Sequence, residues 1–355
     1  MKAIYSISLL ITIGFFSCCK PDCEDSTTDN EPTLFDLVIP SPLPTITIPS
    51  ENPLTLEGVE LGRMLFYETL LSGDETQSCS SCHVQSAGFT DTARFSTGID
   101  GFQGNRNAMV VFNLAWSPTL FWDGRATSLE EQALDPIVNP IEMHENWEDA
   151  AEKLNAHSEY PNLFKKAFNI DVIDSSHVTK ALAQFERTLI SGNSKWDKFY
   201  RGESILTEQE LRGWDLFNVD GPYVGADCFH CHTAPHFTDF TFHNNGLDSD
   251  VSMNDLGLYL VTQNEYDKAK FKTPTLRNIE VSGPYMHDGR FETLEEVIEH
   301  YNFGGHASST VDPLMKNIGE GLLLSPTDKE ALLAFLRTLT DEEFLTNPQF
   351  SNPFK

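Results

Sequence analysis

The sequence predicts a mainly α fold with long loops, built as two tandem halves related by internal duplication. Three observations carry that expectation. Strand-like alternation is nearly absent, whereas apolar residues recur at helical spacing. Two short runs share one pattern, Cys79-Ser80-Ser81-Cys82-His83 and Cys228-Phe229-His230-Cys231-His232. Longer segments around these runs also match in type and order, the signature of a repeated unit.

The N-terminus reads as an export signal. Met1-Lys2 precedes an apolar stretch, Ala3 to Phe16, too short for a transmembrane helix and suited to a secretory h-region. Phe15-Phe16-Ser17-Cys18 resembles a lipobox, so residues 1–18 are expected to be a lipoprotein signal with a lipid anchor on Cys18. Cys19 is the register alternative, and cleavage by an ordinary signal peptidase the other outcome. The expected location is the periplasm or cell envelope. Residues 19–52 are rich in Pro, Ser, Thr, Asp and Asn and are expected to form a flexible linker.

The first half is expected over 53–190. Val59, Leu61, Leu65 and Phe66 space an opening helix, and Leu70 to Ser78 leads into the first Cys-x-x-Cys-His run. Val178, Ala181, Leu182, Phe185 and Leu189 mark a closing helix. The second half, 191–345, repeats the plan. Gly62-x-x-Leu65-Phe66 returns as Gly213-x-x-Leu216-Phe217, and Leu332, Leu333, Phe335, Leu336 and Leu339 close the half after a Ser325-Pro326-x-Asp328 start. The segment from Phe121-Trp122-Asp123-Gly124-Arg125 to Glu131 matches that from Met286-His287-Asp288-Gly289-Arg290 to Glu296. Asn113 and Asn278 each stand ten residues before the matched aspartate, and Ser128-x-x-Glu131 and Thr293-x-x-Glu296 both fit a capping box.

The Cys-x-x-Cys-His spacing lets two thiols add across the vinyl groups of a haem while the next imidazole reaches the iron. A zinc knuckle or a redox dithiol would not require a histidine directly after the second cysteine in both copies. Two covalently bound c-type haems are therefore expected, on Cys79, Cys82 and His83 and on Cys228, Cys231 and His232, each in a cytochrome c-like half. Of the seven cysteines, the other three, Cys18, Cys19 and Cys23, lie in the leader, so no structural disulfide is needed. Lys+Arg 24 against Asp+Glu 53 gives a net charge of -29, which argues against nucleic acid as a partner. It suits a basic electron-donor protein such as a small cytochrome c.

These runs, with Phe121-Trp122-Asp123-Gly124-Arg125, Pro274-Thr275-Leu276-Arg277-Asn278 and Tyr285-Met286-His287-Asp288-Gly289-Arg290, resemble the bacterial dihaem cytochrome c peroxidases and the related MauG enzymes over about residues 50 to 340. The resemblance implies that hydrogen peroxide is reduced at the first haem with electrons relayed through the second. It places the catalytic glutamate at Glu142 with Gln132 as its neighbour; His144 is an alternative base. Peroxide heterolysis needs such a base to move a proton between the two oxygens. The Trp122 indole is expected between the haems, shortening the electron path. Many relatives block the first iron with a histidine on the loop before Arg106-Asn107. Here Val84 to Asn105 holds neither histidine nor methionine, and Ile99 stands about where the blocking residue would fall. An open, five-coordinate first haem follows.

At the second haem the resemblance puts the sixth ligand at Tyr301, where the peroxidases have methionine and MauG has tyrosine. The spacing Leu294, Val297, Ile298, Tyr301 also turns Tyr301 to a buried helix face, with Met286 and Met315 as the alternatives. Arg106, Arg125, Arg277 and Arg290 are expected near haem propionates, and Asp248, Asp250 and Asp255 as solvated turn residues. The resemblance further implies a calcium ion on the Asn107 side chain and the Ser282 and Pro284 carbonyls, and it allows a homodimer. Two other functions fit the same residues: a MauG-like oxidase that modifies residues of a partner protein, and a non-catalytic dihaem electron carrier, which would need neither Glu142 nor an open iron.

Overall fold

The structure, a computed structural model, describes residues 31–355. The export signal, Cys18 and the start of the linker lie outside them. The expected mainly α architecture is present, and residues 32–355 form one compact unit. The one sheet among the described residues pairs two-residue strands, Phe242–His243 and Phe271–Lys272, antiparallel. No helix among the described residues is long and apolar enough to cross a membrane.

Each half is organised by a helix pair that crosses at a glycine. The helix Leu56–Tyr67 is capped by Thr55, whose side chain accepts from Gly58 N, and it buries Leu61, Leu65 and Phe66. It packs on Ser175–Thr188. A Cβ on Gly62 would stand 1.9 Å from the Ala181 carbonyl oxygen, so only glycine permits this approach. In the second half Glu208–Asn218 packs on Pro326–Arg337, and a Cβ on Gly213 would stand 2.0 Å from the Ala331 carbonyl oxygen. The shared Gly-x-x-Leu-Phe motif is thus a contact rule: the glycine admits the partner helix, and the Leu and Phe fill the core beside it.

The Asp-Gly-Arg segments also fold alike. Asn113 and Asn278 are both left-handed, at φ 54° and 56°, and each caps a short 3-10 turn. Isolated bridges Leu120 to Ala126 and Tyr285 to Phe291 close the two Asp-Gly-Arg turns. Ser128 accepts from Glu131 N at 3.1 Å and Thr293 from Glu296 N at 3.2 Å, starting the helices Leu129–Gln132 and Leu294–Phe303.

Two boundaries differ from the expectation. Residues 32–52, assigned to the flexible linker, lie along the folded body. Phe35 N donates to the Leu54 carbonyl, Leu43 is buried beside Gly192, and the Asn52 side chain donates to Glu130 and to the Lys180 carbonyl. Prolines and the lack of a helical or alternating apolar period concealed an extended strap whose backbone and side chains find partners on the body. The other difference is at the C-terminus. Leu189 belongs to the first core and Trp196 to the second, but Phe344 and Leu345 return to the first. Arg63 and Tyr67 then hold the carbonyls of Pro348, Phe350 and Ser351. Asp341 directs this return, since its Oδ2 accepts from Gly192 N and Asn193 N.

Candidate haem sites and the wall between them

The two Cys-x-x-Cys-His runs present the same donor chemistry. Their four cysteines form no disulfide among the described residues and are half-buried rather than sealed. His83 donates from Nδ1 to the Phe89 carbonyl at 3.0 Å, and His232 donates from Nδ1 to the Phe237 carbonyl at 3.1 Å. A proton held on Nδ1 leaves Nε2 as the metal-binding nitrogen. Burial lowers the pKa of both imidazoles, which keeps them neutral as ligation requires.

Around His232 the fold leaves a hollow open to solvent, lined by Cys228, Cys231, His232, Met286, Tyr301 and Met315 among others. Its walls are largely apolar, from Phe217, Leu294, Ile298 and Leu332, which suits a planar macrocycle. Tyr301 faces this hollow, whereas its neighbour His300 turns away to the Asn245 carbonyl. Burial pushes the Tyr301 phenol up to about 12, and Asn245 Nδ2 donates to its oxygen at 3.2 Å. Met286 and Met315 share the lining, so all three expected ligand candidates meet in one place.

At the first run, burial comes first and the charges of Glu186 and Glu142 follow in pushing the Cys79 thiol up. The Glu142 carboxyl therefore stands close to the haem-attachment segment. Burial, and then the charge of Asp135, raises the Glu142 pKa above its ordinary 4.5. Asn139 Nδ2 donates to Glu142 Oε1 at 2.7 Å, while Oε2 makes no hydrogen bond among the described residues. Gln132, the expected neighbour, ends the helix Leu129–Gln132 and makes no hydrogen bond to Glu142. The missed residue is Asn139, whose i to i+3 spacing from Glu142 in a Pro-rich turn was its only sequence signal. Ile99 N donates to the Glu142 carbonyl at 3.0 Å, so the loop without histidine lies against the glutamate's backbone. His144 is exposed and pairs with Asp100.

Glu186, on Ser175–Thr188, was not foreseen. It is buried, its Oε2 has no partner among the described residues, and burial raises its pKa to about 8. Between the ordinary 4.5 and about 8 the folded state holds a proton that the unfolded state has lost, so stability falls as pH rises through that window. Glu186→Gln in the haem-loaded protein should abolish that slope, at most about 1.4 kcal/mol per pH unit, as thermal melts at several pH values would show. Parallel wild-type and variant curves would contradict it.

Trp122 stands on the wall shared by the second hollow and a smaller one of about 750 Å³. Its indole donates to the Asn107 carbonyl at 2.8 Å, and it meets His287 edge-on at 6.5 Å. The smaller hollow is lined by Asn107, Ser282 and Pro284. The Asn107 amide donates to the carbonyls of Ala93 and Arg94, and its Oδ1 accepts no hydrogen bond among the described residues.

The four arginines find partners within the chain. Arg106 binds Asp123 and Asp255, Arg125 binds Asp123 and Asp135, Arg277 binds Asp197, and Arg290 binds Asp248 and Asp288. Asp248 and Asp255 are thus arginine partners rather than solvated turn residues, and Asp250 accepts from Ser309. The excess of carboxylates in the sequence made any given pairing illegible.

Comparison with known proteins gives a consistent result. The family model described as di-haem cytochrome c peroxidase matches residues 56–205. The methylamine utilization protein MauG of Methylorubrum extorquens is 40% identical over 306 residues, covering 85% of this chain and 83% of that protein. Cytochrome c551 peroxidase of Nitrosomonas europaea is 36% identical over 309 residues, covering 86% and 85%. Among solved structures, a MauG-like protein associated with microbial copper homeostasis superposes with a TM-score of 0.84 at 35% identity, covering 90% of this chain and 100% of that one.

Proposed function

The chain belongs to the di-haem cytochrome c peroxidase family, and on that premise we propose that it reduces hydrogen peroxide to water at the haem held by His83, with electrons from a small cytochrome-like donor relayed through the haem held by His232. The observation that carries the reading is Glu142: a half-buried carboxyl beside the first attachment run, held by Asn139 at one oxygen and without a hydrogen bond among the described residues at the other. A haem held by Cys79, Cys82 and His83 would supply the redox chemistry that peroxide reduction needs. Glu142 Oε2 takes the proton from one peroxide oxygen and returns it to the departing one. Asn139 fixes the carboxyl's orientation. Ile99 contributes an apolar side chain where a blocking imidazole would otherwise stand. Trp122, on the wall of the second hollow, offers the intervening ring for electron passage, its orientation fixed by the Asn107 carbonyl.

The oxidised, as-isolated protein should show one high-spin, five-coordinate haem and one low-spin haem, and should turn over peroxide with reduced cytochrome c. Two low-spin haems, or no turnover, would overturn the reading. Tyr301→Phe should convert the second haem's low-spin signal and raise its potential, because a phenolate ligand favours the ferric state. An unchanged spectrum would instead assign the ligand to Met286 or Met315.

Tyr301 also favours a second reading, oxidation of residues on a partner protein in the manner of MauG. A calcium ion on Asn107 Oδ1 and the Ser282 and Pro284 carbonyls would brace the wall that carries Trp122. The halves are read as copies of one haem-binding unit, supported by their matching glycine crossings and Asp-Gly-Arg turns. Export to the periplasm or cell envelope, with a lipid anchor on Cys18, rests on the leader sequence.

A further inference from the structure

The two haem-binding histidines differ in what lies behind them. The first leans on the carbonyl of Phe89, whose ring contacts among the described residues are Phe66 at 6.0 Å and Phe344 at 5.5 Å. The second leans on the carbonyl of Phe237, whose ring stands edge-on to Trp196 at 4.8 Å. Trp196 then lies 5.6 Å from Tyr200. Trp196 is 3% exposed and Tyr200 is 62% exposed, so the row runs from the ligand's own hydrogen-bond partner to solvent. Indole and phenol rings give up an electron far more readily than a benzene ring. The first half's row runs on from Phe66 to Tyr67 at 5.3 Å, a half-buried phenol whose hydroxyl donates to the Phe350 carbonyl, whereas the second half's row passes an indole and ends on an exposed phenol. Packing does not account for Tyr200, which buries little of its ring.

We propose that Tyr200, fed through Trp196, is a second oxidation site at which small neutral phenols give electrons to the protein. This rests on the peroxidase reading above. Trp196 passes an electron inward and recovers it from Tyr200, which releases its phenolic proton to water and regains both from a phenol at the surface. Two phenols each lose one electron and one proton, becoming phenoxyl radicals. One hydrogen peroxide takes the two electrons and two protons, its O–O bond breaks, and two waters form.

The surface fits such a donor. The turn after Tyr200 folds back, with Ser204 N donating to the Lys198 carbonyl, and presents Ile205 at 85% exposure. The neighbouring cations are already engaged, Lys198 by Glu343 and Arg201 by Glu203. What remains is apolar and electrically paired, better matched to a neutral ring than to a basic cytochrome.

The test uses the haem-loaded full chain with peroxide, p-cresol as the phenol, and a nitroso spin trap whose adduct is located by peptide mass spectrometry. Wild type without donor should carry the trap on Tyr200. Tyr200→Phe should lose that adduct and most of its p-cresol turnover while still oxidising reduced cytochrome c, and Trp196→Phe should weaken both signals. Because Tyr200 is exposed, its variant separates the relay from misfolding of Trp196→Phe. Turnover with cytochrome c but no adduct on Tyr200, or p-cresol turnover unaffected by Tyr200→Phe, overturns this inference alone. Failure with both donors overturns the peroxidase reading as well.

Discussion

Glu142→Gln in the haem-loaded protein should lower peroxide turnover by about 10²–10⁴-fold, the contribution typical of a positioned general acid–base group. The substitution keeps the side chain's length, and its amide oxygen can still accept from Asn139. Only proton exchange at the second position is lost. Both Cys-x-x-Cys-His runs are untouched, so the resting spectra should match wild type, separating a lost proton step from a lost haem. The pH profile gives a second signature. Burial, with the charge of Asp135, raises the Glu142 pKa, so the acid limb of kcat/KM should lie above the ordinary glutamate value of 4.5. That limb should vanish from the residual activity of the variant. Turnover retained within a few-fold would remove Glu142 from the mechanism.

What the sequence made legible follows from the range of the interactions involved. The Cys-x-x-Cys-His runs are local, with both thiols and the imidazole within five residues, and no tertiary information is needed to read them. The helix pairs were legible because Val178, Ala181, Leu182 and Phe185 recur with the helical period, and all four are buried. Tyr301 could be oriented by the same rule. The periodicity says which face is buried, and the hollow confirms the facing without deciding the ligand. Long-range polar pairing was not legible. Arg106 meets Asp255 across 149 residues, and Asn52 meets Glu130 across 78, in a chain with 53 carboxylates to choose among. The strap 32–52 was misread for a different reason: its apolar residues follow neither a helical nor an alternating period and are broken by prolines, so nothing local showed the backbone hydrogen bonds and the burial of Leu43 that hold it.

One such pairing should dominate the stability of the second half. Arg277→Leu is expected to destabilise the haem-loaded protein by about 3–5 kcal/mol, the cost of leaving a buried charge uncompensated. Arg277 and Asp197 have no exposed side-chain surface, and two parallel hydrogen bonds of 2.8 Å join them. Each has a further duty. Arg277 Nε and Nη2 donate to the Pro235 carbonyl, three residues after His232, the proposed haem ligand, and Asp197 accepts from Ser194 N and Oγ at the start of the helix Lys195–Tyr200. The pair thus fastens the segment joining the two halves to the loop that carries the second haem ligand. Asp197→Asn should cost less than Arg277→Leu, since an amide can still accept one arginine bond. The double variant Asp197→Leu/Arg277→Leu should cost less than the two single leucine variants summed, because neither charge is then orphaned. Because Pro235 and Phe237 share that loop, the second haem's bands should shift in Arg277→Leu while the first haem's stay in place. Urea unfolding followed at both haems would register the two effects together. A loss below about 1 kcal/mol would mean that the Pro235 loop is held by its other contacts, such as Thr275 Oγ1 donating to the His236 carbonyl at 2.6 Å, and that the buried pair serves only to orient them.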